Sequence, residues 1–386
     1  MSQGSGRNDI VHSSSKNNFM QVIRYGIGLD MAMEKFDACI STIDVKQAVL
    51  VKSTRSFDNN SKGYQQLYKW VSSQCVLPVL MIFLMEATGI YHEGLASYLH
   101  SQECFISIVL PNKAKKYKQA LGLRSKTDSI DAKSLSRMIC EQALPAWNPM
   151  SKAIYLLRGV TRQIQSIAKD ITRIKCQLHA QEFAMYKNND VIKCLKQQLR
   201  LLQKQKDQLE EEVLKILETD PALKEKCEKI CRIKGLGKLS LAVIIAETNA
   251  FSFFENIAQL VSYVGYDVVE DQSGKHKGRT KISKQGNGRI RRILHLPAFN
   301  VVRLKQQPFV GLYQRVYERS KIKMKAYTAV QKKLLILIYT LWKKDAAYQP
   351  YYQQSSGEKE LALSFVKVDA FIKEKNSSAV EQSYTR

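Results

Sequence analysis

Gly26-Ile27-Gly28-Leu29-Asp30 is the stretch on which the reading of the fold turns. A short apolar run closes on a carboxylate, which reads as a strand presenting one charged side chain from a rigid element. A second run, residues 79–85, ends the same way in Glu86. Acids placed directly after buried runs are poorly explained by solubility, because strand ends in α/β sheets are where ligand-contacting groups collect. Short runs at 38–40 and 105–110 add strands, and helical spacing at 94–100, 112–121 and 129–139 adds helices. Residues 21–149 are therefore expected to form an α/β domain, preceded by a flexible tail at 1–20.

Composition changes after Pro149. Leu157, Val160, Ile164, Ile167, Ile171, Ile174 and Leu178 recur at alternating steps of three and four, the pattern of a coiled-coil seam. After a polar break at 186–190 a second heptad run follows on Leu195, Leu199, Leu202, Leu209, Val213 and Ile216, with Lys206 where the pattern calls for an apolar residue. Residues 150–229 thus predict a helical coiled-coil region, either an intramolecular hairpin or a subunit contact, since heptads do not report the partner. Residues 230–350 read as mainly helical and open on Ile233-Lys234-Gly235-Leu236-Gly237, a helix-hairpin-helix-like turn whose backbone N–H groups suit a phosphate. A polar tail with a weak helical segment fills 351–386.

Sixty Lys and Arg against 35 Asp and Glu leave a formal charge of +25, which implies a polyanionic partner. The longest apolar run is far shorter than the roughly 20 residues a membrane span needs, so nucleic acid is expected and membrane is not. Eight cysteines lack paired CxxC spacing, and Cys227 and Cys231 have no third ligand nearby, so neither zinc nor disulfides are indicated. Residues 1–18 lack the apolar core of a signal peptide, and a cytoplasmic location is expected.

Two further acids, Asp128 and Asp131, stand three apart at a helix start and share one face. Singly, one has the ordinary role of an N-cap and the other of a favourable first-turn charge. Joined with Asp30 and Glu86 in a strongly basic chain, they make an oxygen-ligand set suited to Mg²⁺ or Mn²⁺. A pair of such ions roughly 4 Å apart clamps the attacking and leaving oxygens of phosphoryl transfer.

The segment 273–287 holds Lys275, Lys277, Arg279, Lys281 and Lys284 and no acid. Its glycines permit close backbone approach and its cations suit phosphates, so it reads as a nucleic-acid-facing loop; a solvated charged loop is the alternative. Arg289, Arg291 and Arg292 extend the positive surface along a helix, and Lys126 and Lys234 complete the candidate contacts. His276 lacks partners at ligand spacing and is at most a phosphate contact. Ser273 and Ser283 both suit turn hydroxyls, and local chemistry does not choose between them as nucleophiles.

On Gly26-Ile27-Gly28-Leu29-Asp30, Met85-Glu86-Ala87-Thr88-Gly89-Ile90-Tyr91 and Lys126-Thr127-Asp128-Ser129-Ile130-Asp131-Ala132, most of the chain resembles the one-ten family of insertion-sequence transposases. These are bridge-RNA-guided recombinases. The resemblance implies an N-terminal RNase H/RuvC-like DEDD domain in which Asp30, Glu86, Asp128 and Asp131 are the catalytic metal ligands. Gln272-Ser273-Gly274, followed by Gly278-Arg279, Ile282-Ser283-Lys284 and Gly286-Asn287, matches the family's second domain. That match implies Ser273 as the nucleophile, forming a covalent phosphoserine link to DNA. It also implies a bridge RNA pairing with donor and target DNA, a prokaryotic host, and a homo-oligomer, dimer or tetramer, whose active site combines domains of different subunits. Two other enzymes fit the same residues, a site-specific DNA invertase of that superfamily and a metal-dependent branched-DNA nuclease. A nucleic-acid-binding protein without chemistry is the non-enzymatic alternative.

Overall fold

The structure is a computed structural model that describes residues 22–87, 89–122, 128–269, 272–273, 276–277 and 281–349. The tails expected at 1–20 and 351–386 lie outside these residues, as do Lys126, Lys275, Arg279 and the side chains of Asp128, Ser273, His276 and Lys277. The chain divides into two compact units between Pro149 and Met150.

The first unit carries β1 (Val22–Met31), β2 (Lys35–Asp44), β3 (Val49–Asp58), β4 (Leu80–Glu86) and β5 (Phe105–Val109) in one sheet of order β3-β2-β1-β4-β5. The first three strands form an antiparallel meander, and β4 and β5 continue the sheet parallel to β1. Helices α1 (Ser61–Gln74), α2 (Glu93–Ser101), α3 (Pro111–Ala120) and α4 (Asp128–Glu141) complete the unit. Alternation along β1 sorts its side chains between two faces. Ile27 and Leu29 pack with Phe83 and Met85 against Leu67 of α1 and Leu99 of α2. The opposite face presents Gly26 and Gly28, and α4 lies directly on them. A Cβ at Gly28 would stand 2.2 Å from both the Ala132 carbonyl oxygen and the Ser136 amide nitrogen. Leu135, Met138 and Ile139 of α4 pack with Ile82, Leu84 and Val109, and Ser136 Oγ hydrogen-bonds Ser41 Oγ of β2 at 2.8 Å.

Strand β3 has no counterpart in the apolar runs of the sequence. It is an edge strand exposed at most positions, so nothing forces alternation on it, and its Lys52 and Arg55 suit an unpaired edge.

The second unit opens with α5 (Lys152–Phe183) and α6 (Asn189–Thr219). Glu182 near the end of α5 pairs with Lys196 near the start of α6, while Ile154 and Leu157 share a core with Val213 and Ile216. The heptad seam is thus used within the chain, as an antiparallel hairpin. Lys206, on that seam, is half-buried and pairs with Glu210 at 2.6 Å. There follow α7 (Pro221–Cys231), α8 (Lys238–Thr248), α9 (Ile257–Val264), β6 (Val268–Val269), β7 (Gln272–Ser273), β8 (His276–Lys277), β9 (Lys281–Ile282), α10 (Gly288–Ile293), α11 (His295–Arg303), α12 (Phe309–Ser320) and α13 (Lys323–Lys344). Helix α8 is buried from Leu241 to its end and is apolar nearly all round, as befits the centre of a helical core. Val330, Leu334 and Ile338 of α13 belong to the same core. No described helix is long and apolar enough to cross a membrane. The cysteines are free, and burial pushes the thiols of Cys227 and Cys231 up to about 12 and about 11.

Because the added methyl meets backbone on both sides, Gly28→Ala is expected to cost at least the upper end of the 1–3 kcal/mol typical of overpacking, about 3 kcal/mol. Urea unfolding of the first unit checks this, and a loss below about 1 kcal/mol would mean that α4 shifts freely on the sheet.

Candidate active site

Leu29 and Met85 are register partners in the parallel β1–β4 pair. Asp30 and Glu86 follow them on adjacent strands and, by alternation, lie on the face that α4 covers. Across the antiparallel pair Asp30 stands opposite Asp37 of β2, and partners directly opposite share a face. Three acids, Asp37, Asp30 and Glu86, therefore cross one end of one sheet face in a row. Asp37 accepts a hydrogen bond from the Ser56 hydroxyl.

Helix α4 runs antiparallel to β1 above this row. Cys140 and Ser136 stand over Gly26, and Ser136 and Ala132 over Gly28. Two residues of strand advance about 6.6 Å and one helical turn about 5.4 Å, so the next step along β1 sets the first turn of α4, with Asp128 and Asp131, over Asp30. Asp131 is 6% exposed, and its carboxylate lies 2.9 Å from Lys118 Nζ of α3. Beside the row a cleft is lined by Asp37, Thr54, Arg55, Ser56 and Ser129. The sequence reading did not single out Asp37. Its signal is indirect, the tight connection at 32–34 that folds β2 back on β1 and pairs position 37 with 30.

Among the described residues no group of three His, Cys, Asp or Glu is placed to hold a metal ion. The acids gathered at this end nonetheless supply carboxylates, the hard oxygen ligands that Mg²⁺ and Mn²⁺ take, and Asp131 is paired with the Lys118 ammonium.

In the second unit β6 pairs antiparallel with β9, and β7, which lies between them in sequence, pairs antiparallel with β8; these four short strands are the arm. Ser273 stands opposite His276, with Gly274 and Lys275 between them. Ser283 lies at the root of the arm. Its Oγ donates to Asp267 Oδ1 at 2.6 Å and its amide to the Asp267 carbonyl at 2.9 Å. That hydroxyl is engaged in closing the arm, a partnership across 16 residues that the sequence does not display.

Both roots of the arm meet Glu247, one at its carboxylate and one at its main-chain carbonyl. Glu247 of α8 has a side chain only 1% exposed, and Arg162 of α5 grips it through Nε at 2.7 Å and Nη2 at 3.0 Å. Asn287 Nδ2 donates to Glu247 Oε2 at 2.8 Å, while its Oδ1 accepts from the amides of Arg289 and Ile290 and so caps α10. The Tyr263 hydroxyl donates to the Glu247 carbonyl at 2.9 Å, and Arg289 Nε lies 3.8 Å from Glu247 Oε1. Burial pushes the carboxyl of Glu247 up, but the hydrogen bonds from Arg162 and Asn287 and the charges of Arg162 and Arg158 outweigh it, and it titrates below its ordinary value. Its contribution to stability is therefore present above the unfolded value and is lost as pH falls through the lowered one.

Of the basic residues expected to meet nucleic acid, Lys234, Lys281, Lys284, Arg289 and Arg292 are exposed. Arg291 donates to the Val264 carbonyl at 2.5 Å and so closes the end of α9. The turn between α7 and α8 holds Gly235 at φ +102°, against Asn300, and Gly237 as the N-cap of α8.

The chain thus carries an acid-edged α/β unit followed by a mainly helical unit with exposed basic residues. A DEDD-type transposase family model matches residues 27–181, and one described as the IS116/IS110/IS902 transposase family matches 227–314. Together they span more than half of the chain, which belongs to the IS110 family of transposases. Pilin gene-inverting proteins of Moraxella bovis and Moraxella lacunata are each 26% identical to it over 324 residues, 83% of this chain and 97% of theirs. A DEDD-type domain points to dependence on a divalent metal.

Removing the Ser283 hydroxyl leaves Asp267 without its closest donor. Ser283→Ala is expected to lower stability in urea by about 1.5 kcal/mol, the low end for a hydrogen bond to a charged group. A change under about 0.5 kcal/mol would show that the arm's root is held without it.

Proposed function

We propose that this chain cuts and rejoins DNA through a covalent phosphoserine link at Ser273, assisted by divalent cations held by Asp30, Glu86, Asp128 and Asp131. The observation that carries the reading is the juxtaposition of Asp30 and Glu86 in adjacent register beneath the first turn of α4. The strand order β3-β2-β1-β4-β5, an antiparallel meander continued by parallel strands, supports an RNase H/RuvC-like assignment for the first unit.

In this reading the Ser273 oxygen attacks the phosphorus of a phosphodiester. A P–O bond to the serine forms, the bond to one deoxyribose oxygen breaks, and that oxygen leaves as a hydroxyl, balancing the proton that Ser273 gives up. A sugar hydroxyl from another strand then attacks the phosphoserine, which restores the diester and returns a proton to Ser273. The bond energy is conserved in the covalent link, so rejoining needs no further energy source. Divalent cations, when bound, stabilise charge on the phosphoryl and leaving oxygens. The chain's own cations, Lys234, Lys281, Lys284, Arg289 and Arg292 together with Lys126, Lys275, Lys277 and Arg279, neutralise phosphates of donor DNA, target DNA and a bridge RNA. A homo-oligomer in which the acids of one subunit serve the serine of another completes the reading. Inversion is the recombination outcome that the relatives favour, since 97% of the length of the Moraxella proteins aligns with this chain.

The test incubates purified protein and Mg²⁺ with DNA carrying the element's own end, with and without RNA from that element. A protein–DNA adduct is expected that needs the RNA and drops by about 100-fold or more in Ser273→Ala and in Asp30→Asn. Metal-dependent nicking with no adduct would remove Ser273 from the mechanism. A separate expectation concerns Lys118, whose ammonium competes with a metal ion for Asp131. Lys118→Gln should tighten Mn²⁺ binding measured by calorimetry, and unchanged or weaker binding would take Asp131 out of the ligand set.

A further inference from the structure

Glu247 is an anomaly in α8. The helix is otherwise apolar from Leu241 to Ala246 and central to its core, and an ionised carboxylate in such a place needs a reason. Stability does not supply one, because replacing a buried ion pair by well-packed apolar groups is often neutral or stabilising. Its partners do. Arg162 comes from α5 and Asn287 closes the second root of the serine arm, while Tyr263, which precedes the first, bonds the main-chain carbonyl of Glu247 and accepts from Asn287 Nδ2 at 3.3 Å. The two roots are also joined directly, by the Lys284 amide to the Gly265 carbonyl at 3.2 Å and the Asn287 amide to the Tyr263 carbonyl at 2.7 Å. Gly286, at φ +148°, lets the returning strand pass so close to Tyr263 that a Cβ there would stand 2.3 Å from its carbonyl oxygen.

We infer that Glu247 is a positioning residue whose carboxylate clamps the returning root of the Ser273-bearing arm, at Asn287, to α5 and couples the arm to phosphate contact at Arg289. The inference rests on reading Ser273 as the nucleophile. Asn287 is suited to transmit the clamp, because its amide nitrogen reaches Glu247 while its oxygen starts α10, so the side chain cannot turn without losing the cap. Arg289 lies between the buried carboxylate and solvent, with its side chain 48% exposed. A DNA phosphate drawn to Arg289 therefore acts on the group that holds the arm. Through Arg162 the same carboxylate fixes the arm's base to the coiled hairpin.

Hydrogen exchange separates this role from plain stability. Asn287→Ser keeps an oxygen for the α10 cap but is too short to reach Glu247. The full-length variant is expected to exchange the amides of Ser283 and Lys284 about tenfold faster or more, with those of α8 and α13 unchanged. Affinity for the element's end DNA should stay within about threefold of the wild type, since no exposed cation is removed. The yield of the Ser273–DNA adduct should fall about tenfold or more. Glu247→Gln, where it folds, should reproduce the pattern. Unchanged exchange at Ser283 and Lys284, or equal acceleration throughout α8 and α13, would overturn the inference. Should the arm loosen as expected while the wild type forms no adduct, the clamp stands and the phosphoserine reading falls.

Discussion

The approach of α4 to β1 is the contact on which the first unit depends. Two helical turns rest on strand backbone at Gly26 and Gly28, where even a methyl group would meet main-chain atoms. Side chains between a helix and a sheet normally hold the two backbones apart and leave room for relative sliding. Here the glycines remove that layer, while Leu135, Met138 and Ile139 lock the flanks and Ser136 ties the helix to Ser41. With the helix pinned in height and register, its first turn has one place to be, above the row of Asp37, Asp30 and Glu86.

The second unit is organised by a polar constraint instead. The Glu247 carboxylate binds Arg162 of α5 and Asn287 at the cap of α10, while its main-chain carbonyl accepts from Tyr263 of α9, so one residue of α8 ties together three other helices. Such a hub adds little stability compared with an apolar core, but removing its closest charged grip, Arg162, would leave the buried charge without a close cation at a cost of about 3–5 kcal/mol. Its value lies in fixing one arrangement of the elements rather than in the strength of the fold.

How much of this was legible follows from the range over which each signal acts. Strands β1 and β4 are covered on both faces and end in Asp30 and Glu86, so a local pattern reveals them. Strand β3 is an exposed edge and has no such pattern. The heptads of α5 and α6 disclose a seam but not its partner, which the short link at 184–188 decides. Asp37 was overlooked because its importance is a matter of register with Asp30, not of its own neighbours. Glu247 sits in the last turn of an apolar helix, where a lone acid resembles an ordinary helix end, and its partners lie 40 residues ahead and 85 behind. The serine arm read as a basic loop because strands of two residues leave almost no periodic trace.

The carboxylates of the first unit are spread from Asp30 to Asp131, and the helix that completes them is the last element of that unit. The meander of β1, β2 and β3 is local and can form early, whereas docking α4 closes a loop of some hundred residues onto the first strand, the slow kind of step in folding. As the chain leaves the ribosome, a groove floored by glycine stays open until residue 141 has emerged, and until then the acids are only partly assembled. The order of the elements along the chain thus leaves the row of acids uncovered until α4 docks.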